Sequence, residues 1–106
     1  MLIAWTTVSS AAEAEKIAAD VIASNLAVCV QIDGPVSSHY RWDGRPTKDQ
    51  EYRLMFKLLQ SHRKPLEERV LKLHSYDTPE WIVVRAEHVG EKYLSWAMAN
   101  STTPPL

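Results

Sequence analysis

The chain has 106 residues and a mass of 12.1 kDa, which is enough for one domain but too little for two independent hydrophobic cores. Hydrophobic residues make up 45% of it and charged residues 24%, and it has only three glycines, so disordered and collagen-like chains are excluded. The formal charge of −1 gives no overall field to attract nucleic acid or an anionic membrane. No apolar run is long enough for a signal peptide or a membrane span, so we expect a cytoplasmic protein with neither a nucleic-acid nor a membrane partner.

The first third of the chain predicts a strand, a helix and a second strand. Residues 2–8 are apolar or β-branched, as in a short strand. Ser10 and Glu13 have the spacing of a capping box, in which each side chain accepts a hydrogen bond from the other residue's amide. A helix with one apolar face is therefore expected from Ser10 onwards. Residues 26–32 then predict a largely buried strand.

A long β-hairpin is predicted next. Gly34-Pro35 favours a bend or bulge, because proline removes a ladder donor and glycine permits unusual backbone angles. The outgoing limb, residues 36–42, alternates between two faces and leads to a turn predicted at residues 43–46. The return limb, residues 50–59, has large apolar side chains at every second position. One face of this limb should therefore lie on the core.

The second half of the chain predicts a helix, a strand and a last helix. Ser61 or His62 can cap the first of these helices, whose apolar stripe starts at Leu66. Residues 81–86 predict a short strand, and the last helix follows Gly90.

The predicted order of elements is β-α-β-β-α-β-α. Because crossovers around helices are right-handed, this order indicates an α+β fold: a ferredoxin-like βαββαβ sandwich with a C-terminal helix and a long hairpin between its second and third strands. No repeat or linker divides the chain, so residues 1–106 are expected to form a single domain. The tail, residues 101–106, should fray.

The predicted hairpin is too long for the domain that carries it. At roughly 3.4 Å per residue, residues 49–59 would extend about 37 Å, whereas a chain of this size has a radius of gyration of about 13 Å. Large side chains such as Tyr40 and Trp42 would then be exposed on an unpaired edge. We expect further copies of the same chain to cover them in a closed homo-oligomer. The alternative is a hairpin that bends at Gly34-Pro35 and folds back onto its own domain.

Few residues have the spacing of a catalytic or metal-binding site. Cys29 is the only cysteine and lies among apolar residues, and the four histidines are not spaced as transition-metal ligands. The densest group is His74, Asp77 and Glu80, which could hold a divalent cation weakly with water completing its shell. The same residues also have a structural interpretation. His74 can bond the end of a helix, Asp77 can form a turn, and Glu80 can pair with a cation such as Lys57.

Five segments along nearly the whole chain carry a resemblance to a known family. They are Ala27-Val28-Cys29-Val30, Tyr40-Arg41-Trp42-Asp43-Gly44, Glu51 with Lys57, His74-Ser75-Tyr76-Asp77-Thr78-Pro79-Glu80, and Tyr93-Leu94-Ser95-Trp96. Together they resemble the CutA divalent-ion tolerance family. The resemblance implies a ferredoxin-like subunit in a compact homotrimer, similar to PII signalling proteins, in which long hairpins join the sheets of different subunits. It also implies a link to tolerance of copper and other divalent metals.

The resemblance also bears on the metal. The copper ligands proposed in some members of the family are a cysteine at the end of the first strand and two adjacent histidines. In this sequence Trp5 stands where that cysteine would be and Leu73 replaces one histidine, which leaves His74. The expected cation, Cu²⁺ or Zn²⁺, would therefore be weakly bound, and no cofactor is expected to be required.

Two functions are consistent with the sequence. The first is a homotrimeric protein of the metal-response class that binds a cation or a small anionic ligand in clefts between subunits and catalyses no reaction. The residues expected to line that cleft are Tyr40, Trp42, Glu51, Lys57, His74, Tyr76 and Glu80. The second is an enzyme that uses the same cleft, with Glu80 or His74 as general base and Lys57 stabilising negative charge.

Overall fold

A computed structural model describes residues 1–101 of the chain. Its elements are β1 (Leu2–Val8), α1 (Ala11–Ala23), β2 (Cys29–Trp42), β3 (Arg45–Leu58), α2 (Arg63–Leu73), β4 (Ile82–Arg85) and α3 (Glu91–Ala99), with a 3₁₀ turn at Gln60–His62. The predicted order of strands and helices, including the C-terminal helix, is confirmed. Apart from Ser101, the predicted frayed tail lies outside the described residues.

The strands form one antiparallel sheet in the order β2-β3-β1-β4. β1 lies in the middle because it pairs with β3 from Leu2↔Leu58 to Val8↔Tyr52 and with β4 along its first half. The predicted ferredoxin-like arrangement is therefore confirmed. The buried side chains of α1 and α2 join those of β1 and β3 in one core, so both helices cover the same face of the sheet.

The core follows the two periodicities in the sequence. Along β1, and along β3 from Leu54 to Leu58, every second residue is buried, as expected for strands with one face against helices. The helices contribute residues three or four positions apart. The largest fully buried apolar side chains are Phe56, Ile17, Leu54, Leu58, Leu66, Val8, Val21 and Val70. Burying one such side chain stabilises the fold by about 1.5–3 kcal/mol.

The β2-β3 hairpin projects beyond the rest of the sheet. β1 pairs with β3 only at residues 52–58, so residues 45–51 of β3 pair with β2 alone. At about 3.4 Å per residue, these seven positions extend the hairpin by roughly 24 Å. The molecule is accordingly elongated, with principal extents of 45 × 28 × 21 Å and a radius of gyration of 14.5 Å. The long hairpin predicted from the sequence is confirmed, and it does not fold back onto its own domain.

The bulge and the turn of the hairpin have the expected sequence causes. The register shifts between Asp33 and Val36, around Gly34-Pro35, where β2 uses one residue more than β3. The chain reverses at Asp43 and Gly44, which have φ angles of +49° and +73°, as a two-residue type I′ turn requires. The predicted bulge is therefore confirmed.

Several predicted boundaries are wrong by a few residues. β2 begins at Cys29 rather than at residue 26, because residues 26–28 lead into the sheet before the ladder starts. β3 begins at Arg45, because the turn needs only two residues and Arg45 already pairs with Trp42. β4 is limited to Ile82–Arg85. Arg63, the first residue of α2, follows an N-cap residue, His62, that makes no capping hydrogen bond through its side chain.

The capping box at the start of α1 forms only in part. The Ser10 hydroxyl accepts from the Glu13 amide at 3.1 Å, as predicted. The Glu13 carboxylate does not return to Ser10, and instead accepts from the Ser75 amide at 3.1 Å and the Ser75 hydroxyl at 2.8 Å. Glu13 thus connects the start of α1 with the loop after α2.

Within residues 1–101, no helix is both long enough and apolar enough to span a membrane.

Candidate functional site

A cleft of about 750 Å³ lies between the projecting hairpin and the loop that follows α2. The hairpin contributes Tyr40 and Trp42 from β2 and Glu51 from β3, and the loop contributes Tyr76 and Glu80. The hydroxyl groups of Ser38, Ser75 and Thr78 also line it. This volume lies within the range of small-molecule sites, about 300–1,000 Å³.

Glu51 joins the two walls of the cleft. It follows the bulge, paired with Val36 of β2, and only 8% of it is exposed. The Tyr76 hydroxyl donates to one Glu51 oxygen at 2.9 Å. Burial, and then this bond and the charge of Glu51, raise the pKa of Tyr76 well above its usual range. Tyr76 therefore stays a neutral donor at physiological pH.

His74 anchors the loop to the end of β1. Its Nδ1 accepts from the Tyr76 amide at 3.1 Å, so the proton of the neutral ring belongs on Nε2. Nε2 then donates to the Thr7 carbonyl oxygen at 2.9 Å and lies 3.1 Å from the Thr6 hydroxyl oxygen. The imidazole is fully buried. Both ring nitrogens are thus engaged in holding the loop.

Thr6 fixes the other end of the same loop. Its hydroxyl donates to the Glu80 carbonyl oxygen at 2.7 Å, and its side chain is completely buried. With His74 at one end and Glu80 at the other, the loop is bonded at both ends to β1. The side chains that the loop presents to the cleft are therefore held by the sheet.

Carboxylates set the electrostatic character of the cleft. Glu51, Asp77 and Glu80 line it, and none of the described lining residues is lysine or arginine. At the rim, Tyr40 donates a hydrogen bond to Asp49. This bond, then burial and the charges of Asp49 and Glu51, raise the pKa of Tyr40. The cleft is therefore a region of negative potential.

One cation lies close enough to influence Glu80 without lining the cleft. The pKa of Arg53 is raised first by its hydrogen bond to Asp33 and in smaller part by the charge of Glu80. Its guanidinium makes a two-pronged ion pair with Asp33, at 2.9 and 3.2 Å. Because Asp33 already neutralises Arg53, the carboxylates of the cleft keep their negative charge largely unbalanced.

The structure brings together five of the seven residues expected to line the cleft. Tyr40, Trp42, Glu51, Tyr76 and Glu80 all line the cleft. Of the other two, His74 is buried and does not line the cleft, and Lys57 lies elsewhere in a single chain. Its ammonium is 5.5 Å from the centre of the Tyr93 ring. Lys57 and Glu51 are six positions apart on an extended strand, which corresponds to a distance of about 20 Å.

The residues predicted to hold a metal are less well placed for one. Asp77 and Glu80 line the cleft, but both nitrogens of His74 are used inside the protein. Within residues 1–101 of one chain, no group of three or more His, Cys, Asp or Glu residues is placed to hold a metal ion. The described residues of a single chain therefore offer Cu²⁺ or Zn²⁺ no preformed set of ligands.

Sequence reasoning missed the residues that position the loop. Thr6 is the clearest case, and it had a signal: a polar residue on the buried face of a strand needs a partner. No pattern in the sequence links Glu13 to Ser75, since 62 residues separate them in the chain.

The profile of the family described as CutA1 divalent ion tolerance protein matches residues 2–100. The chain belongs to this family. The family description and the name of the Escherichia coli relative refer to tolerance of divalent cations and not to a reaction.

Two curated CutA relatives show how the chain aligns within the family. It is 34% identical over 94 residues to the divalent-cation tolerance protein CutA of Escherichia coli O139:H28, covering 89% of this chain and 84% of that protein. It is 36% identical over 101 residues to the chloroplastic protein CutA of Arabidopsis thaliana, covering 95% of this chain. This match spans about half, 55%, of the Arabidopsis protein.

Solved CutA1 structures have the same fold. The protein from Thermus thermophilus superposes with a TM-score of 0.90 at 34% identity, covering 96% of this chain and 100% of that one. A Pyrococcus horikoshii CutA1 variant gives a TM-score of 0.91 at 28% identity, covering 96% and 99%. The Archaeoglobus fulgidus protein, described as periplasmic, gives 0.89 at 28% identity, covering 94% and 98%.

Proposed function

We propose that this CutA family member is a cytoplasmic homotrimer that binds a cation or a small ligand in the cleft between its long hairpin and the loop after α2, and that it catalyses no reaction of its own. The observation that carries the proposal is the cleft itself. Five aromatic and acidic residues expected to bind a ligand line a cavity of about 750 Å³.

Exposed apolar surface supports the trimer. Trp42 is 59% exposed on the projecting hairpin, and Ile82 and Val84 are 52% and 43% exposed on β4. Trp96 and Met98 of α3 are 45% and 59% exposed. Surface of this kind is a liability in a monomer, and further copies of the chain would cover it. The hairpin would then bring its cleft close to a neighbouring subunit.

Several features support binding over catalysis. The loop is held by hydrogen bonds from the buried side chains of Thr6 and His74, which suits a preformed binding site. The groups that an enzyme would need are not assembled in one chain, because His74 has no free nitrogen and Lys57 does not line the cleft. A divalent cation would bind through one or two of the carboxylates Glu51, Asp77 and Glu80 and keep most of its water.

Calorimetric titration tests the binding proposal. Cu²⁺, Zn²⁺ and ATP, a small anionic ligand, are titrated into the wild type and into Glu51→Gln, which removes the charge but keeps an acceptor for Tyr76. Glu15→Gln removes a charge from the exposed side of α1 and is the matched control. We expect at least one ligand to bind saturably, with Glu51→Gln alone altering its isotherm. Identical isotherms in both variants, or no binding of any of the three ligands, would exclude this cleft as the binding site.

Sedimentation velocity tests the trimer. At micromolar concentration, we expect a species three times the 12.1 kDa mass of the chain. A stable monomer at that dilution would refute this part of the proposal.

A further inference from the structure

We propose that protonation of His74 releases the loop after α2, so that this wall of the cleft is held in place at neutral pH and freed in mild acid. The inference rests on the function proposed above, because it concerns the regulation of the same cleft. Three features carry it: the hydrogen bonds of the His74 ring, the position of Glu13 beside that ring, and the bond from Tyr76 to the hairpin.

The neutral ring of His74 holds the loop through both of its nitrogens. Nδ1 accepts from the Tyr76 amide at 3.1 Å, and Nε2 donates to the Thr7 carbonyl oxygen at 2.9 Å. The imidazole is fully buried. A second proton on the ring would have to lie on Nδ1 and would point at the amide hydrogen of Tyr76, and two donors cannot share that contact. The doubly protonated ring therefore requires the Tyr76 amide to move away.

Glu13 of α1 offers the protonated ring a new partner. Its Oε2 lies 3.9 Å from His74 Nδ1 and accepts from the Ser75 amide at 3.1 Å. A small movement of this carboxylate would turn Oε2 from Ser75 to a proton on Nδ1. A buried charge is tolerated only when it is paired, so this carboxylate gives the protonated ring a second stable arrangement inside the fold.

The other groups that face the ring do not oppose this exchange. β1 presents the Thr6 hydroxyl and the Thr7 carbonyl oxygen. The loop presents Tyr76, whose ring centre is 5.0 Å from that of His74 and whose raised pKa keeps it neutral. Glu51 of β3 lies beyond Tyr76, as the acceptor of its hydroxyl. Among these contacts, all within residues 1–101, no cation repels a charge on His74.

Protonation would remove two acceptors from the loop at once. Nδ1 would no longer accept from the Tyr76 amide, and Glu13 would no longer accept from the Ser75 amide. Tyr76 also carries the hydroxyl that donates to Glu51 at 2.9 Å, so its displacement separates the loop from the hairpin. The His74 side chain is fully buried and that of Glu13 is 16% exposed. The switch therefore lies inside one chain and does not depend on surface that further copies of the chain would cover.

Amide hydrogen exchange, followed residue by residue by NMR, tests the switch in the full chain. The rates are measured between about pH 7.5 and 5.0, where histidines ordinarily change charge, and are divided by those of an unstructured peptide at the same pH. We expect the protection of the Ser75 and Tyr76 amides to fall about tenfold or more towards acid. Over the same range, the ¹⁵N shifts of the His74 ring should change from those of the Nε2–H tautomer to those of a doubly protonated ring.

Variants separate the titration of His74 from that of other groups. His74→Asn places an oxygen acceptor near the position of Nδ1 but takes up no proton, so the protection of the Tyr76 amide should become independent of pH. Glu13→Gln keeps an acceptor for the loop but cannot neutralise the protonated ring, so the loss of protection should move to lower pH. Glu15→Gln on α1 and His88→Gln before α3 remove exposed groups and should follow the wild type. Circular dichroism shows whether each variant is folded.

The outcomes separate this inference from the proposal on which it rests. Constant protection of the loop, a His74 ring that stays neutral while protection falls, or the same pH dependence in Glu13→Gln and Glu15→Gln would each overturn the switch. These measurements use no ligand, so the switch can be established even if Cu²⁺, Zn²⁺ and ATP all fail to bind and the proposed function falls. If a ligand binds in the cleft but the loop keeps its protection, the binding proposal stands and the switch fails.

Discussion

Tyr76 donates its phenolic hydrogen to Glu51 across the cleft, with 2.9 Å between the two oxygens. The bond ties a loop that follows α2 to a hairpin 25 residues earlier in the chain. It also explains how an 8% exposed carboxylate is tolerated on β3, since an acceptor that is largely removed from water needs a donor. The cleft is therefore shaped by a contact between its own walls.

Replacing Tyr76 by Phe tests the energetic role of this bond. Glu51 would keep its place on β3 but lose its donor, so we expect the free energy of unfolding to fall by about 1–2 kcal/mol at pH 7. Unfolding in guanidinium chloride at one fixed protein concentration measures the loss. Glu51→Gln should cost less than Tyr76→Phe, because the glutamine oxygen still accepts from Tyr76. The opposite order would contradict this account.

The raised pKa of Tyr76 also predicts a pH dependence. A tyrosine whose pKa is higher in the folded state than its unfolded value, about 10, contributes stability that is complete below pH 10 and is lost as the pH rises towards the folded value. Between pH 10 and 11.5, wild-type stability should therefore fall faster than that of Tyr76→Phe, by up to about 1.4 kcal/mol per pH unit. Unfolding curves at several pH values measure both slopes. Parallel slopes would show that the fold does not favour the neutral phenol.

Thr6→Val tests the attachment of the loop to β1. Valine has nearly the same shape, but it removes the hydroxyl that donates to the Glu80 carbonyl at 2.7 Å. We expect a loss of about 1–3 kcal/mol and faster hydrogen exchange confined to residues 74–80. Thr47→Val, near the tip of the hairpin, is the control and should change stability by less than about 0.5 kcal/mol. Unchanged exchange in the loop would mean that His74 alone holds it.

Much of the fold could be predicted because local patterns decide it. The alternation at residues 52–58 indicates which face of β3 is buried, and Gly34-Pro35 indicates the bulge. Aromatic and acidic residues of the hairpin and the loop were placed in one cleft, and Tyr40, Glu51 and Tyr76 do lie there.

The rest depends on contacts that no local pattern records. The sequence predicts that the Glu13 carboxylate accepts from the Ser10 amide. In the structure it accepts instead from the amide and the hydroxyl of Ser75, 62 residues away. Lys57 follows Glu51 on the same strand, yet the extended chain carries it about 20 Å along the sheet. In the sequence His74 can be a cation ligand or can bond the end of a helix, and only the packed structure shows that both of its nitrogens are occupied.

Gly34→Ala tests the bulge that precedes Glu51. Gly34 has a φ of +152°, and a β-carbon placed there would lie 2.5 Å from a ring carbon of Tyr52. Both the backbone conformation and the ring would have to change, so we expect a loss of about 1–3 kcal/mol. Gly90→Ala is the control, because it has open space and no positive φ. Equal stability of the two variants would show that the hairpin absorbs the added methyl group freely.

The ion pair between the helices predicts a second, opposite pH dependence. Arg69 of α2 donates two hydrogen bonds to Asp20 of α1, at 2.8 and 2.7 Å. These bonds lower the pKa of Asp20, so their stabilisation is complete above the unfolded value of about 3.9 and is lost as the pH falls through the folded value. Arg69→Gln should therefore lower the melting temperature by a few degrees at pH 7 and by progressively less towards pH 2.5.

Thermal unfolding followed by circular dichroism across this pH range measures the difference. Arg63→Gln removes an exposed charge at the start of α2 and controls for net charge, so its offset from the wild type should not follow the titration of Asp20. If the difference between wild type and Arg69→Gln is as large at pH 2.5 as at pH 7, then Asp20 does not stabilise the fold through its charge. The packing of the Arg69 side chain between the helices would then account for the effect.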